Sequence, residues 1–302
     1  MNPWTPLVVA TVGWGSAAVL TRALLTGGMS TFTLVPMRFG IALALLLVVS
    51  VFSRRFGGVT RGHLARGGVL GLVALGIPNI LFTLGLEDLP VSLGGLLIAL
   101  IPVATVGAAH FLVEGERFNP RSMPGLVVSL IGAAILVGVG GGALEGVGNL
   151  WRGVLLSLIA VCLAGIGSAL TRRFAVEVGG DGLVLPQFAA ATAVCLLVAP
   201  FFDTTPLSSL APSGWALLIA LGSLATAVPF TSFLIAAVVN PAARLGIVGY
   251  LVPMIAVTLA VLILGETLTT AIVVGAVLII GGVILTERSG RHIPVPGMST
   301  TP

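Results

Sequence analysis

Residues 71–102 read GLVALGIPNILFTLGLEDLPVSLGGLLIALIP, and residues 222–253 read GSLATAVPFTSFLIAAVVNPAARLGIVGYLVP. At a constant offset of 151, Gly71, Ala74, Pro78, Phe82, Pro90, Gly95 and Pro102 fall on Gly222, Ala225, Pro229, Phe233, Pro241, Gly246 and Pro253. Downstream the register slips by one, so that Gly115-Glu116, Gly125 and Gly132 match Gly265-Glu266, Gly275 and Gly282. Upstream, Gly13, Gly15 and Ser16 correspond to Gly165, Gly167 and Ser168, and Pro36 to Pro186. The offset is half of the 302-residue chain, so one structural unit is used twice.

Composition sets the solvent of that unit. Hydrophobic residues make up 57% of the chain and charged ones 8%, with a mean hydropathy of +1.18; an ordinary soluble domain carries about 25% charged residues. The apolar runs are about 18 to 24 residues long, the length a helix needs to cross the hydrocarbon core, and they lack the short alternation of a β-barrel. The 41 glycines suit helices that approach closely within lipid. The expected fold is an all-α integral membrane protein. Cys162 and Cys195 lie in separate apolar runs and offer neither a disulfide framework nor a metal site.

Ten spans are expected, near 5–25, 32–52, 67–86, 90–112, 120–139, 152–171, 182–202, 213–235, 242–264 and 268–286. The first half is residues 1–145, the second 146–288, and the polar stretch 289–302 reads as a disordered cytoplasmic tail. Glycines between 138 and 148 form the joint between the halves. With the amino terminus in the cytoplasm, eleven of the fourteen arginines fall in inner loops, among them Arg54, Arg55, Arg61, Arg66, Arg117, Arg172, Arg173 and Arg291. Only Arg22, Arg38 and Arg152 then lie outward. Both termini are thus expected inside, in the cell membrane, with the five-span halves inverted about a central cavity, as in many secondary transporters.

Together these features resemble the drug/metabolite transporter superfamily, in its ten-helix EamA-like branch. The features carrying the resemblance are Gly13-Trp14-Gly15-Ser16, Arg38-Phe39, and the proline-to-glutamate segments Pro102 to Glu116 and Pro253 to Glu266. The resemblance covers residues 5 to 287. It implies export or exchange of small polar metabolites, often amino acids, through a cavity between the halves. One departure is that the first proline-to-glutamate segment is a residue longer than the second.

A substrate is asymmetric, so the positions that touch it are sought where the two copies differ. Trp14 pairs with Ile166, Arg38 with Phe188, Asn79 with Phe230, Thr83 with Leu234, and Tyr250 with Ala99. Asn79 and Thr83 share one face just after Pro78, where a polar group must line a wet cavity or bond a neighbouring helix. Phe230 either faces the cavity from the other half or packs. Trp14 lies mid-span, away from the headgroup level usual for tryptophan, and Tyr250 carries a hydroxyl into an apolar run. Arg38, a charge within a span, either snorkels outward or turns inward onto a substrate carboxylate or onto Glu87 or Asp88. Pro78, Pro102, Pro229 and Pro253 weaken helix hydrogen bonding at matched depths and are the expected hinges. Glu116 and Glu266, at helix ends, are expected to accept backbone N–H groups or meet arginines.

No carboxylate occupies the middle of a span, which disfavours proton coupling through a buried acid. The three histidines, His63, His110 and His292, cannot assemble with a nucleophile, and no enzyme, cofactor or metal is expected. A drug or sugar facilitator or a lipid flippase of the same fold is the alternative to a metabolite carrier. The expected partners are a small-molecule substrate and the lipid bilayer, with no nucleic acid, and the chain is expected to act as a monomer.

Overall fold

The computed structural model describes residues 2–53, 58–114, 119–142, 149–240 and 242–290. Gly115-Glu116, Arg54, Arg55, Arg117, Pro241, most of the glycine joint, and the tail from 291 on, including Arg291 and His292, lie outside them. Ten helical spans follow one another without a strand among the described residues: α1 Trp4–Thr26, α2 Thr31–Ser53, α3 Arg61–Asp88, α4 Val91–Leu112, α5 Met123–Gly142, α6 Leu150–Val178, α7 Val184–Val198, α8 Pro212–Ala236, α9 Ala242–Leu264 and α10 Thr270–Gly290. Large apolar side chains such as Val51, Phe52, Leu197, Leu262 and Val277 are exposed on the outside of the bundle, as a lipid-facing surface requires.

Two spans run further than hydrophobicity alone suggests. Helix α3 begins at Arg61 because Thr60 caps it: the Thr60 hydroxyl accepts from the His63 amide, and His63 Nδ1 accepts from the Thr60 amide. Helix α6 continues about two turns beyond its apolar run. There Glu177 receives Arg173 one turn back at 2.8 Å and Arg66 of α3 at 2.7 Å, and this charged cluster carries the helix into water.

The closest packing runs between the halves, not within them. Helix α1 lies against α8 and α9, and its mate α6 against α3 and α4; α2 meets α7, and α5 meets α10. The α5–α10 seam displays the inversion. Gly125 faces Gly282 and Gly132 faces Gly275, so each glycine meets the mate of the other and the two helices run antiparallel. A Cβ on Gly132 would lie 2.8 Å from the Ile279 amide nitrogen and 3.0 Å from the Gly275 carbonyl oxygen. Only bare backbones fit at that distance.

The matched prolines act through local backbone changes. A π-turn, Gly71–Gly76, precedes Pro78, and a second, Ser223–Ala227, precedes Pro229. In each, an N–H reaches back five residues: Ile77 to the Leu72 carbonyl and Val228 to the Ser223 carbonyl. The wider turn makes room for a ring that would otherwise strike the carbonyl one turn earlier. The other proline pair diverges. Helix α4 is interrupted at Ala99–Leu100, and Pro102 sits in the first turn of the restarted helix, whereas α9 runs continuously through Pro253.

Candidate functional site

Arg38 stands on α2 and turns into the bundle. Its Nε donates to the Thr226 hydroxyl of α8 at 2.8 Å, and its Nη1 donates to Asn79 Oδ1 of α3 at 3.1 Å. Both acceptors sit on the paired kinks. Thr226 lies in the π-turn before Pro229, and its own hydroxyl donates to the Leu221 carbonyl at 2.7 Å. Asn79 follows Pro78, and its Nδ2 donates to the Leu75 carbonyl at 2.8 Å, one turn back. Each acceptor is thereby held by a hydrogen bond to its own helix while it receives the guanidinium. The Phe39 ring lies 5.8 Å from the Arg38 Cζ.

The guanidinium therefore touches neutral oxygens and a ring, and no carboxylate pairs with it among the described residues. Neither Glu87 nor Asp88 serves Arg38, because both are engaged at the helix end. Arg152 reaches Asp88 at 2.7 Å and Glu87 at 3.8 Å, and the Thr31 hydroxyl donates to Glu87 at 2.7 Å. Arg22 donates to the Leu86 carbonyl and, at 3.4 Å, to that of Glu87, where the C-terminal end of α3 favours a cation. At the same end of the molecule Glu266 accepts the Val91 and Ser92 amides at 2.6 and 2.9 Å, an anion on the N-terminus of α4.

Asn79 also lines a cavity of about 170 Å³ at mid-span. Pro78, Ala74 and Phe82 complete the α3 wall; Ile98 and Ile101 come from α4, and Ala160, Val161 and Ala164 from α6. Both halves contribute, none of these residues is exposed, and Asn79 supplies the one amide among apolar neighbours. A second hollow of about 100 Å³, between α1 and α9, is bounded by exposed Trp4, Val8, Val12 and Leu251 and belongs to the lipid-facing surface.

The other residues singled out from the sequence distribute themselves unevenly. Thr83 is fully buried one turn beyond Asn79 and does not line the cavity. Phe230 packs edge-on against Phe188, with centroids 5.0 Å apart, and Phe188 packs in turn on Phe39 at 6.0 Å. Trp14 meets Phe233 at 5.3 Å in a separate cluster with Leu7, Ala236 and Val248. Tyr250 packs on a core of α4, α5, α6 and α10 residues that includes Val161 of the cavity wall. Thus Arg38 and Asn79 come into direct contact, Phe230 is joined to them through two rings, Tyr250 packs on the core that backs the cavity wall, and Trp14 lies apart. Thr226 was not anticipated. Its mate is Leu75, so the same polar-against-apolar mismatch that singled out Asn79 marks it as well.

Among the described residues, nine helices long and apolar enough to cross a membrane and a shorter tenth pack into one bundle, the architecture of a multi-pass membrane protein. The chain belongs to the EamA-like transporter family, whose pattern matches it twice, over residues 6–138 and 151–288. It is 29% identical over 299 residues to a probable terminal-alkyne amino-acid exporter of Streptantibioticus cattleyicolor, covering 93% of this chain and 92% of that one. It is 24% identical over 272 residues to a transporter of Clostridium kluyveri, covering 88% and 86%. A crystal structure superimposes with a TM-score of 0.68 at 22% identity, covering 96% of this chain and 98% of the other, which is a likeness of fold.

Proposed function

We propose that this protein exports or exchanges small amino acids across the cell membrane by alternating access, with Arg38 as the carboxylate-binding residue. The observation that carries this reading is a guanidinium inside the bundle whose hydrogen bonds go to one neutral oxygen of each half. Placing a charge within a span costs about 2.5–3.5 kcal/mol at the helix centre on insertion scales. Thr226 and Asn79 satisfy its geometry without cancelling its charge, and Nη2 remains without a partner among the described residues. A substrate carboxylate completes the pair and, because its acceptors belong to both halves, couples binding to their relative position. The exporter from Streptantibioticus cattleyicolor supports the amino-acid assignment.

In this reading both termini face the cytoplasm, following the arginine distribution, and the kinks at Pro78 and Pro229 are the bending points. The protein is a carrier without catalytic chemistry. Purified protein in liposomes should show saturable counterflow of radiolabelled neutral amino acids. Arg38→Gln should reduce that flux by roughly 100-fold, the range for removing one partner of a desolvated charge pair. Wild-type flux in Arg38→Gln, or counterflow driven by sugars or cationic drugs in place of amino acids, would sink the assignment.

A further inference from the structure

Resting on that carboxylate-binding reading, we infer that the substrate carries a compact, uncharged, apolar side chain. The cavity between α3, α4 and α6 receives it, and Ala160 and Ala164 limit its length. Asn79 fixes the orientation, because its Oδ1 lies on Arg38 while its side chain forms part of the cavity wall. A carboxylate held by Arg38 therefore has its α-carbon beside Asn79 and its side chain directed away from the guanidinium. Pro78, on the same wall, has no N–H, so one carbonyl of the π-turn before it loses its usual donor and is an acceptor for the α-ammonium group.

Size and lining then select the side chain. The volume is about 170 Å³, close to the roughly 150 Å³ at which a dry apolar cavity takes up benzene. It is well below the roughly 300 Å³ at which pockets for drug-sized ligands begin. Apart from Asn79 the walls carry no polar side chain, so a charged substituent would be desolvated without compensation. Its lining shares no residue with the lipid-facing hollow between α1 and α9. Ala160 and Ala164 stand one turn apart on α6, opposite Asn79 and Phe82 of α3, and any larger residue there takes volume from the occupant.

The test is competition for counterflow by glycine, alanine, norvaline, leucine, phenylalanine, tryptophan and glutamate, using the full-length protein in liposomes. Wild type should prefer norvaline and leucine, accept phenylalanine poorly, and reject tryptophan and glutamate. Ala164→Leu should weaken leucine at least about tenfold, the scale of a methylene mismatch in an apolar pocket, and weaken alanine less, so that the leucine-to-alanine preference inverts. Ile101→Ala enlarges the opposite wall and should admit tryptophan, which keeps the inference testable if Ala164→Leu folds poorly. Equal loss for every competitor in Ala164→Leu, or an unchanged order in both variants, overturns the side-chain assignment. If the wild type ignores all amino acids, the carboxylate reading itself is wrong, and Arg38→Gln will then be silent too.

Discussion

Arg38 and Asn79 meet across α2 and α3; their repeat mates, Phe188 and Phe230, meet across α7 and α8. The contact occurs twice, once as a hydrogen bond of 3.1 Å and once as an edge-to-face ring pair at 5.0 Å. Backbone devices at the two places are also alike, a π-turn followed by proline. What differs is the space beside them. Asn79 borders a cavity, while Phe230 sits in a packed aromatic and aliphatic cluster. Duplication supplied two equivalent π-turn–proline kinks, and divergence of two residue pairs made the surroundings of one polar and left the other an aromatic packing surface.

The comparison breaks most sharply by exchanging its chemistry. Asn79→Phe fills the cavity and removes an acceptor from Arg38, so counterflow should fall roughly 100-fold or more, as for a charge stripped of its partner inside protein. Its control, Phe230→Leu, keeps the packing apolar and should keep flux within twofold; an equal loss in both variants would mean that the two sites do not differ in role. Thr226→Val comes next. It leaves the Arg38 Nε without its acceptor, and hydrogen bonds to charged groups contribute about 1.5–3 kcal/mol, so apparent affinity should drop about tenfold while the folded protein survives size-exclusion chromatography. The smallest effect concerns the hinges. Pro78→Ala and Pro229→Ala should each slow turnover about threefold with KM unchanged, because conformational steps set many turnover rates. If KM rises in step with the slower rate, the prolines only shape the site.

Much of this architecture was legible in the residues. Ten spans and their repetition as two copies follow from apolar run length and a twofold pattern of glycine and proline, both properties of the chain itself. Arg38 and Asn79 stood out because the copies differ there. Thr226 did not, although its mismatch with Leu75 was available, since a threonine bonded to its own backbone is ordinary within a membrane helix. The extra turns of α6 were missed because hydrophobicity ends where lipid ends, whereas the Arg66–Glu177–Arg173 cluster sustains helix in water. Arg152 as the partner of Asp88 was equally hidden, being 64 residues away in sequence.

The order of residues alone determined that this is a duplicated, inverted, ten-helix membrane protein, because burial in lipid forces every backbone group into helices and leaves its period in the sequence. Only the folded arrangement decided which way Arg38 turns, which acceptors hold it, and that the cavity opens beside Asn79 and not beside Phe230. Those choices depend on packing between α2, α3, α6 and α8, helices distant in the chain, and no local pattern encodes a distance between them.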